Sequence, residues 1–264
     1  MSAKVSEVPI DLSDSHTHLE DYGPEELPRI IQRARDAGVG RIITAGSSVQ
    51  SSRAAIRIAE SYPDVYAGVG IHPHEVSEAI TDETFQELAQ IARSSDRVVV
   101  VSEPGLDYFK SKAPRELQQR VFRQHLRLAR DLKLPVIFHS RDAYWDCLRI
   151  LREEQVYQVG AVMHYFVADQ RIAEECLDMG VYISFSKTLL SLPHLHQVAR
   201  TIPLEYIVVE TDSFPQPWKK KSPLEPAQVR NVAEKIAELR GISLEEVAAQ
   251  TTKNLKYLVG PRLR

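Results

Sequence analysis

Ile10-Asp11-Leu12-Ser13-Asp14-Ser15-His16-Thr17-His18 is the stretch on which the fold turns. It reads as a short strand that runs into histidines rather than into glycines. An open doubly wound sheet usually carries a Gly-rich phosphate loop after its first strand. That loop is absent here, and Gly68-x-Gly70 further on is too short to be a dinucleotide fingerprint. In a strand, residues i and i+2 point to the same side, so His16 and His18 can hold one metal ion together.

Working outward, eight β-like runs recur. They are Ile10–His16, Arg41–Ala45, Val65–Ile71, Val98–Glu103, Pro135–His139, Gly160–His164, Val181–Phe185 and Tyr206–Glu210. Most are rich in Val and Ile, and some are continuous apolar runs, such as Val98–Val101, as strands buried on both faces of a parallel sheet read. Helical patterns fill most gaps. Leu27, Ile30, Ile31 and Ala34 recur at helical spacing with Gly38 following as a C-cap. Leu117, Val121, Phe122, Leu126 and Leu128 outline a helix before Leu134–Pro135. Ser243 and Glu246 form a capping box that opens a final helix through Leu258. Strand and helix alternate with no internal linker. The pattern predicts one α/β domain over residues 1–264, a (β/α)8 TIM barrel of parallel strands with an extra C-terminal helix.

Composition sets bounds. The chain has 264 residues, 43% of them hydrophobic, and no apolar run approaches the ~18–20 residues needed to cross a membrane. Met1 to Asp14 lacks the apolar stretch of a signal peptide. Two cysteines, Cys147 and Cys176, make no disulfide framework and fit a reducing compartment. A soluble, cytoplasmic protein without a stable protein partner is expected. The net charge of -3 excludes a general basic coat, so any nucleic acid would have to be gripped locally.

Six of the nine histidines fall at or just after strand ends: His16, His18, His72, His74, His139 and His164. Glu103 and Asp212 occupy equivalent places. The C-terminal strand ends of a barrel converge on one face, which collects these eight side chains. A mixed set of imidazoles and carboxylates exceeds the three ligands of a single catalytic zinc and suits two metal ions, with Glu103 as the bridge. His125, His194 and His196 fall in or near helices and read as hydrogen-bonded structural residues.

At these residues the chain resembles the TatD family of metal-dependent deoxyribonucleases, within the amidohydrolase-like barrels. The resemblance rests on Asp14-Ser15-His16-Thr17-His18-Leu19, Gly70-Ile71-His72-Pro73-His74 and Glu103-Pro104-Gly105-Leu106-Asp107-Tyr108. It continues through His139-Ser140-Arg141-Asp142-Ala143, Met163-His164-Tyr165-Phe166 and Glu210-Thr211-Asp212, and spans Asp14 to Leu258. The resemblance implies that His16, His18 and Asp212 hold one metal, that His139 and His164 hold the second, and that Glu103 bridges them. It implies magnesium, manganese or zinc as the ions, DNA as the substrate and 3′-to-5′ exonuclease cleavage as a frequent activity. The chain departs from the family pattern at Ser102 and Pro104 around Glu103, at Tyr165-Phe166-Val167-Ala168, at Ser213-Phe214-Pro215-Gln216-Pro217-Trp218 and at Leu224-Glu225-Pro226. None of these departures removes a proposed ligand; all touch substrate-facing loops. Many amidohydrolase-like barrels carry a bridging Lys at the end of strand 4, where this chain has Val101-Ser102-Glu103.

Two metals about 3.5–4 Å apart can clamp both oxygens of an in-line displacement. Glu103 and Asp212 are then the catalytic candidates, Asp212 either as ligand only or also as general base toward the attacking water. His72, Arg141 and Lys219 are the candidate substrate contacts. His72 reads equally as a loop histidine, Arg141 as the partner of Asp142, and Lys219, Lys220 and Lys221 as a solvated charge run rather than a basic lip. Trp218, Tyr108 and Tyr165 are candidates for stacking on bases or for packing. Two other functions compete: a hydrolase of an amide, lactone or aminoacyl ester on the same metal pair, and a metal-dependent binding module without catalysis.

Overall fold

A computed structural model describes residues 10–216 and 224–263. Eight parallel strands lie side by side in chain order. They are β1 (Leu12–Thr17), β2 (Val39–Ala45), β3 (Val65–Val69), β4 (Val98–Asp107), β5 (Val136–Arg141), β6 (Ala161–Met163), β7 (Tyr182–Phe185) and β8 (Ile207–Val209). A helix follows each one: α1 (Leu27–Asp36), α2 (Val49–Ser61), α3 (Asp82–Arg93), α4 (Arg115–Leu132), α5 (Tyr144–Glu153), α6 (Gln170–Asp178), α7 (His194–Thr201) and α8 (Val229–Arg240). The expected extra helix is α9 (Leu244–Val259), opened by Ser243, whose side chain accepts the Glu246 N–H. The barrel is drawn shut between its first and last strands. The Asp212 N–H donates to the His16 carbonyl at 2.9 Å, and the His18 N–H donates to the Ser213 carbonyl at 2.8 Å.

The strands form where the sequence has its apolar runs, and every residue of Val98–Val101 is fully buried. One apolar layer lies between the strands and the surrounding helices and takes in Ile30, Ile31, Ala55, Phe122 and Leu126. A second fills the barrel interior, where Ile43, Val99, Ile137, Val162 and Val208 meet Leu255 and Val259 of α9. α9 therefore covers the N-terminal end of the barrel, and Asn254 ties it down by donating to the carbonyls of Leu204 and Ile207. The C-terminal end stays open.

Boundaries differ from the sequence expectation in instructive places. α1 is capped by Ala37, and Gly38 follows in the left-handed conformation at φ 85°. β4 runs four residues past Glu103, because Gly105, Leu106 and Asp107 pair with His139, Ser140 and Arg141 of β5. Gly105 is required there, since a Cβ would lie 1.9 Å from the His139 carbonyl oxygen. Gly68 and Gly70 serve a similar close approach to Ser102 of β4. Among the described residues, no helix is long and apolar enough to cross a membrane.

Candidate metal centre

The open end of the barrel holds a cleft of about 620 Å³, lined by His18, His72, His74, Glu103, His139, His164 and Asp212. β1 carries His16 on a fully buried strand and delivers His18 just beyond it. β4 reaches Glu103 through a cis Ser102–Glu103 peptide bond. Glu103 stands at the centre of the donors. Its Oε2 is 2.9 Å from His164 Nε2 and 3.5 Å from His16 Nε2, while Oε1 is 3.3 Å from His18 Nε2. His18 Nε2 is also 3.5 Å from Asp212 Oδ1.

Three sets of donor atoms lie within 4.8 Å of one another: His16, His18 and Asp212; His16, Glu103 and His164; and His72, Glu103 and His139. The first matches the set expected for one metal. The expected second pair is divided between the other two sets, although His139 Nδ1 and His164 Nε2 lie 3.4 Å apart. His72, a candidate substrate contact or loop histidine by sequence, lies among the donors beside Glu103 and His139. Its Nδ1 accepts the His74 N–H, leaving Nε2 for the centre.

The donors fit a cation. His16 is fully buried, yet both of its ring nitrogens lack a hydrogen-bond partner among the described residues. Such an orphaned group ordinarily costs about 1–3 kcal/mol, and a metal ion at the ring nitrogen supplies the missing partner. Mixed imidazole and carboxylate donors admit zinc, manganese or related ions.

Each of three histidines also has a carboxylate behind it, which the sequence reading passed over. Glu20 lies 3.2 Å from His18 Nδ1. Glu210 Oε1 lies 3.3 Å from His164 Nδ1 and accepts the Tyr165 N–H. Asp107 accepts from His139 Nε2 at 3.2 Å and from His74 Nε2 at 2.8 Å. Carboxylates in this place fix the ring orientation and tautomer of a ligating histidine. For Asp107 and Glu210 the available signal was their position at strand ends, inside motifs already quoted; Glu20, in the short turn after β1, gave none.

The electrostatics follow from burial and proximity. Burial pushes the Glu103 carboxyl up, but the neighbouring histidines His16, His72 and His164 outweigh it and hold the group well below the usual carboxylate range. Burial likewise raises Asp212, and the hydrogen bond from His18 brings it below its ordinary value. Burial lowers His72 to about 3, so this ring is neutral at physiological pH.

The remaining sequence candidates separate cleanly. Arg141 and Lys110 line the cleft. The Arg141 guanidinium lies 4.3 Å from the centroid of the Phe109 ring rather than pairing with Asp142. Tyr165 lines the cleft, whereas the Tyr108 hydroxyl donates to Asp146. His125 is buried and accepts the Ile71 N–H, and His194 and His196 bond to the carbonyls of Val167 and Leu189, as structural residues do. Lys219, Lys220, Lys221 and Trp218 lie outside the described residues.

Comparison with known proteins gives consistent matches. The family model described as TatD related DNase matches residues 13–260. An uncharacterized metal-dependent hydrolase of Bacillus subtilis (strain 168), YabD, is 38% identical, covering 94% of this chain and 98% of its own length. A 3′-5′ ssDNA/RNA exonuclease, TatD of Citrobacter rodentium (strain ICC168), is 31% identical over 89% of this chain and 92% of its own. The crystal structure of YJJV, a TatD homolog from Escherichia coli K12, superposes with a TM-score of 0.86 at 29% identity, covering 96% of this chain and 99% of that one.

Proposed function

The chain belongs to the TatD-related DNase family and is a metal-dependent hydrolase; from that premise we propose that it hydrolyses the phosphodiester bonds of single-stranded DNA from the 3′ end. The observation that carries this reading is Glu103, central to converging histidines on the floor of a cleft whose walls present Arg141 and Lys110. A relative named for 3′-5′ ssDNA/RNA exonuclease activity supports the choice of substrate and polarity.

His16, His18 and Asp212 would hold one divalent ion, His139 and His164 a second, and Glu103 would serve both. Ions at these donors supply Lewis acidity, which acidifies a water molecule and offsets the negative charge of the phosphodiester. The protein's own groups do the rest. Asp212 lies at the lip of the donor ring with its side chain 20% exposed, open to the cleft and to water. There it orients the attacking water and takes its proton. Arg141 presents a planar fork of donors suited to phosphate oxygens, and Lys110 adds a second positive charge. His164, backed by Glu210, keeps its Nε2 aimed at Glu103.

The test is hydrolysis of end-labelled single-stranded DNA by the metal-loaded chain, beside the His16→Ala/His18→Ala variant. Stepwise shortening from the 3′ end by the parent, with none by the variant, is expected. Equal cleavage by both would reject the metal assignment, and cleavage of an amide or lactone in place of DNA would reject the substrate. Asp212→Asn with metal bound and hydrolysis intact would remove the base role.

A further inference from the structure

Beside the cleft, two large aromatic side chains are left in water: Phe109 is 62% exposed and Trp145 is 49% exposed. Scattered exposed apolar residues are ordinary and need no explanation. These two are different in that an arginine lies across each ring. The Arg141 guanidinium is 4.3 Å from the Phe109 centroid, and the Arg171 guanidinium is 4.6 Å from the Trp145 centroid. A cation on one face of a ring leaves the opposite face open.

The four side chains follow one another around the rim. Phe109 comes just after β4, Arg141 ends β5, Trp145 lies in the first turn of α5, and Arg171 lies in the first turn of α6. Arg141 joins this arc to the cleft, because it also lines the cavity that holds the donor set. The pairing recurs at two rings that line the cleft, where Lys187 Nζ is 5.8 Å from the Phe214 ring centroid and 6.0 Å from that of Tyr165.

We infer that the Phe109–Arg141–Trp145–Arg171 arc is a track for single-stranded nucleic acid leaving the cleft, and this rests on the reading of the cleft as a phosphodiester site. Exposed ring faces take bases by stacking, which every base can do, and the neighbouring guanidinium groups take the phosphates between them. Guanidinium beside an open ring matches the alternation of charge and π-face along such a strand. The chain carries a net charge of -3, so a local track of this kind is how it would hold a polyanion.

The test uses the metal-loaded chain and fluorescein-labelled phosphorothioate dT12 and dT3, with binding followed by anisotropy at fixed salt. Phe109→Ala/Trp145→Ala should weaken dT12 binding by about tenfold or more for each ring removed, with a smaller loss for dT3. Tyr257→Ala, which removes an exposed ring from α9 at the covered end of the barrel, is the matched control and should bind dT12 like the parent. Equal dT12 affinity of the double variant and the parent would overturn the track. So would a parent that binds dT12 no better than dT3; if it still hydrolyses ordinary dT3, the phosphodiester reading survives alone. Ring-dependent dT12 binding by a chain that cleaves no phosphodiester would keep the track and remove that reading.

Discussion

Replacing Asp107 by Asn changes one atom and tests how the histidines are held. Asp107 is fully buried and its carboxylate accepts four hydrogen bonds. Oδ2 takes His74 Nε2 at 2.8 Å and His139 Nε2 at 3.2 Å, and Oδ1 takes the N–H groups of Phe109 at 2.9 Å and Lys110 at 2.7 Å. Burial favours the neutral acid, but the bonds from His139, Lys110 and His74 prevail and keep the group ionised. Asn keeps the shape and offers one oxygen and one NH2. With the NH2 toward the histidines, His139 must accept at Nε2 and carry its proton on Nδ1. Nδ1 is the nitrogen 3.4 Å from His164 Nε2, turned toward the donors, and a protonated nitrogen cannot ligate. With the NH2 toward the backbone, two buried N–H groups lose their acceptor at about 1–3 kcal/mol each. The first orientation removes a ligating nitrogen and the second sets donor against donor. Metal affinity is therefore expected to fall by about 10–100-fold, the range for lost support behind a ligating histidine, or about 1.4–2.8 kcal/mol. Calorimetric titration of the chelator-stripped chain with Zn2+ or Mn2+ measures this directly. Hydrolysis should recover at high metal concentration. Wild-type affinity and stoichiometry in Asp107→Asn would refute the argument.

Three further outcomes follow from the same geometry. Gly105→Ala puts a Cβ 1.9 Å from the His139 carbonyl oxygen, so the β4–β5 pairing must part. A loss of about 1–3 kcal/mol or more should accompany loss of bound metal, and an unchanged Tm with full metal content would contradict it. Glu154 is nearly buried and faces Arg127, Arg123 and Arg130, and the bond from Arg127 leads in holding its carboxyl below the ordinary value. Its stabilisation is thus fully present above the unfolded pKa of about 4.3 and is lost as pH falls through the lower folded value. Glu154→Gln should cost about 1–3 kcal/mol near pH 7, between the exposed and buried ion-pair ranges, and the gap in melting temperature should close in acid; a gap independent of pH would argue against the pairing. Chelation should lower the Tm of the parent, because bound ligand stabilises the folded state by mass action, and should lower that of His16→Ala/His18→Ala less, because only the His139 and His164 side of the centre keeps its donors. Equal shifts in both chains would place the stabilising ion elsewhere.

The barrel was legible because its strands are buried on both faces, so Val98–Val101 and its counterparts stand out as continuous apolar runs. What those runs could not show is where a strand stops. β4 continues through Pro104, Gly105 and Asp107 because β5 offers it partners, and that pairing is a property of the neighbour rather than of local composition. The donors were legible for a related reason: each falls at or just after the end of an apolar run in the sequence, and the topology brings those ends together. Their grouping was not. His72 sorts with Glu103 and His139, and the supports for His139 and His164 come from Asp107 and Glu210, 32 and 46 positions away in sequence. Such contacts depend on side-chain direction across the barrel, which spacing along one strand leaves open. Phe109 and Trp145 carried no periodic signal either, since exposure is decided by what fails to cover them.

Two backbone positions show how the grouping is achieved. Tyr165 and Asp212 adopt φ of 48° and 49°, the left-handed region that non-glycine residues seldom occupy. Each such residue costs roughly 1–2 kcal/mol, so surrounding bonds must hold it. They do: the Tyr165 N–H donates to Glu210 Oε1 at 2.7 Å, and the Asp212 N–H donates to the His16 carbonyl at 2.9 Å. Extended backbone would carry Glu210 and Asp212 to the same side, because strand side chains alternate. The turn at Asp212 separates their tasks, leaving the buried Glu210 behind His164 and bringing Asp212 to His18 at the lip. The bond that holds Asp212 also closes the barrel between β1 and β8, and the one that holds Tyr165 ties the segment after β6 to the end of β8. Strain at these positions is thus part of how the donor ring is assembled, and relaxing it would move a candidate ligand and open the seam together.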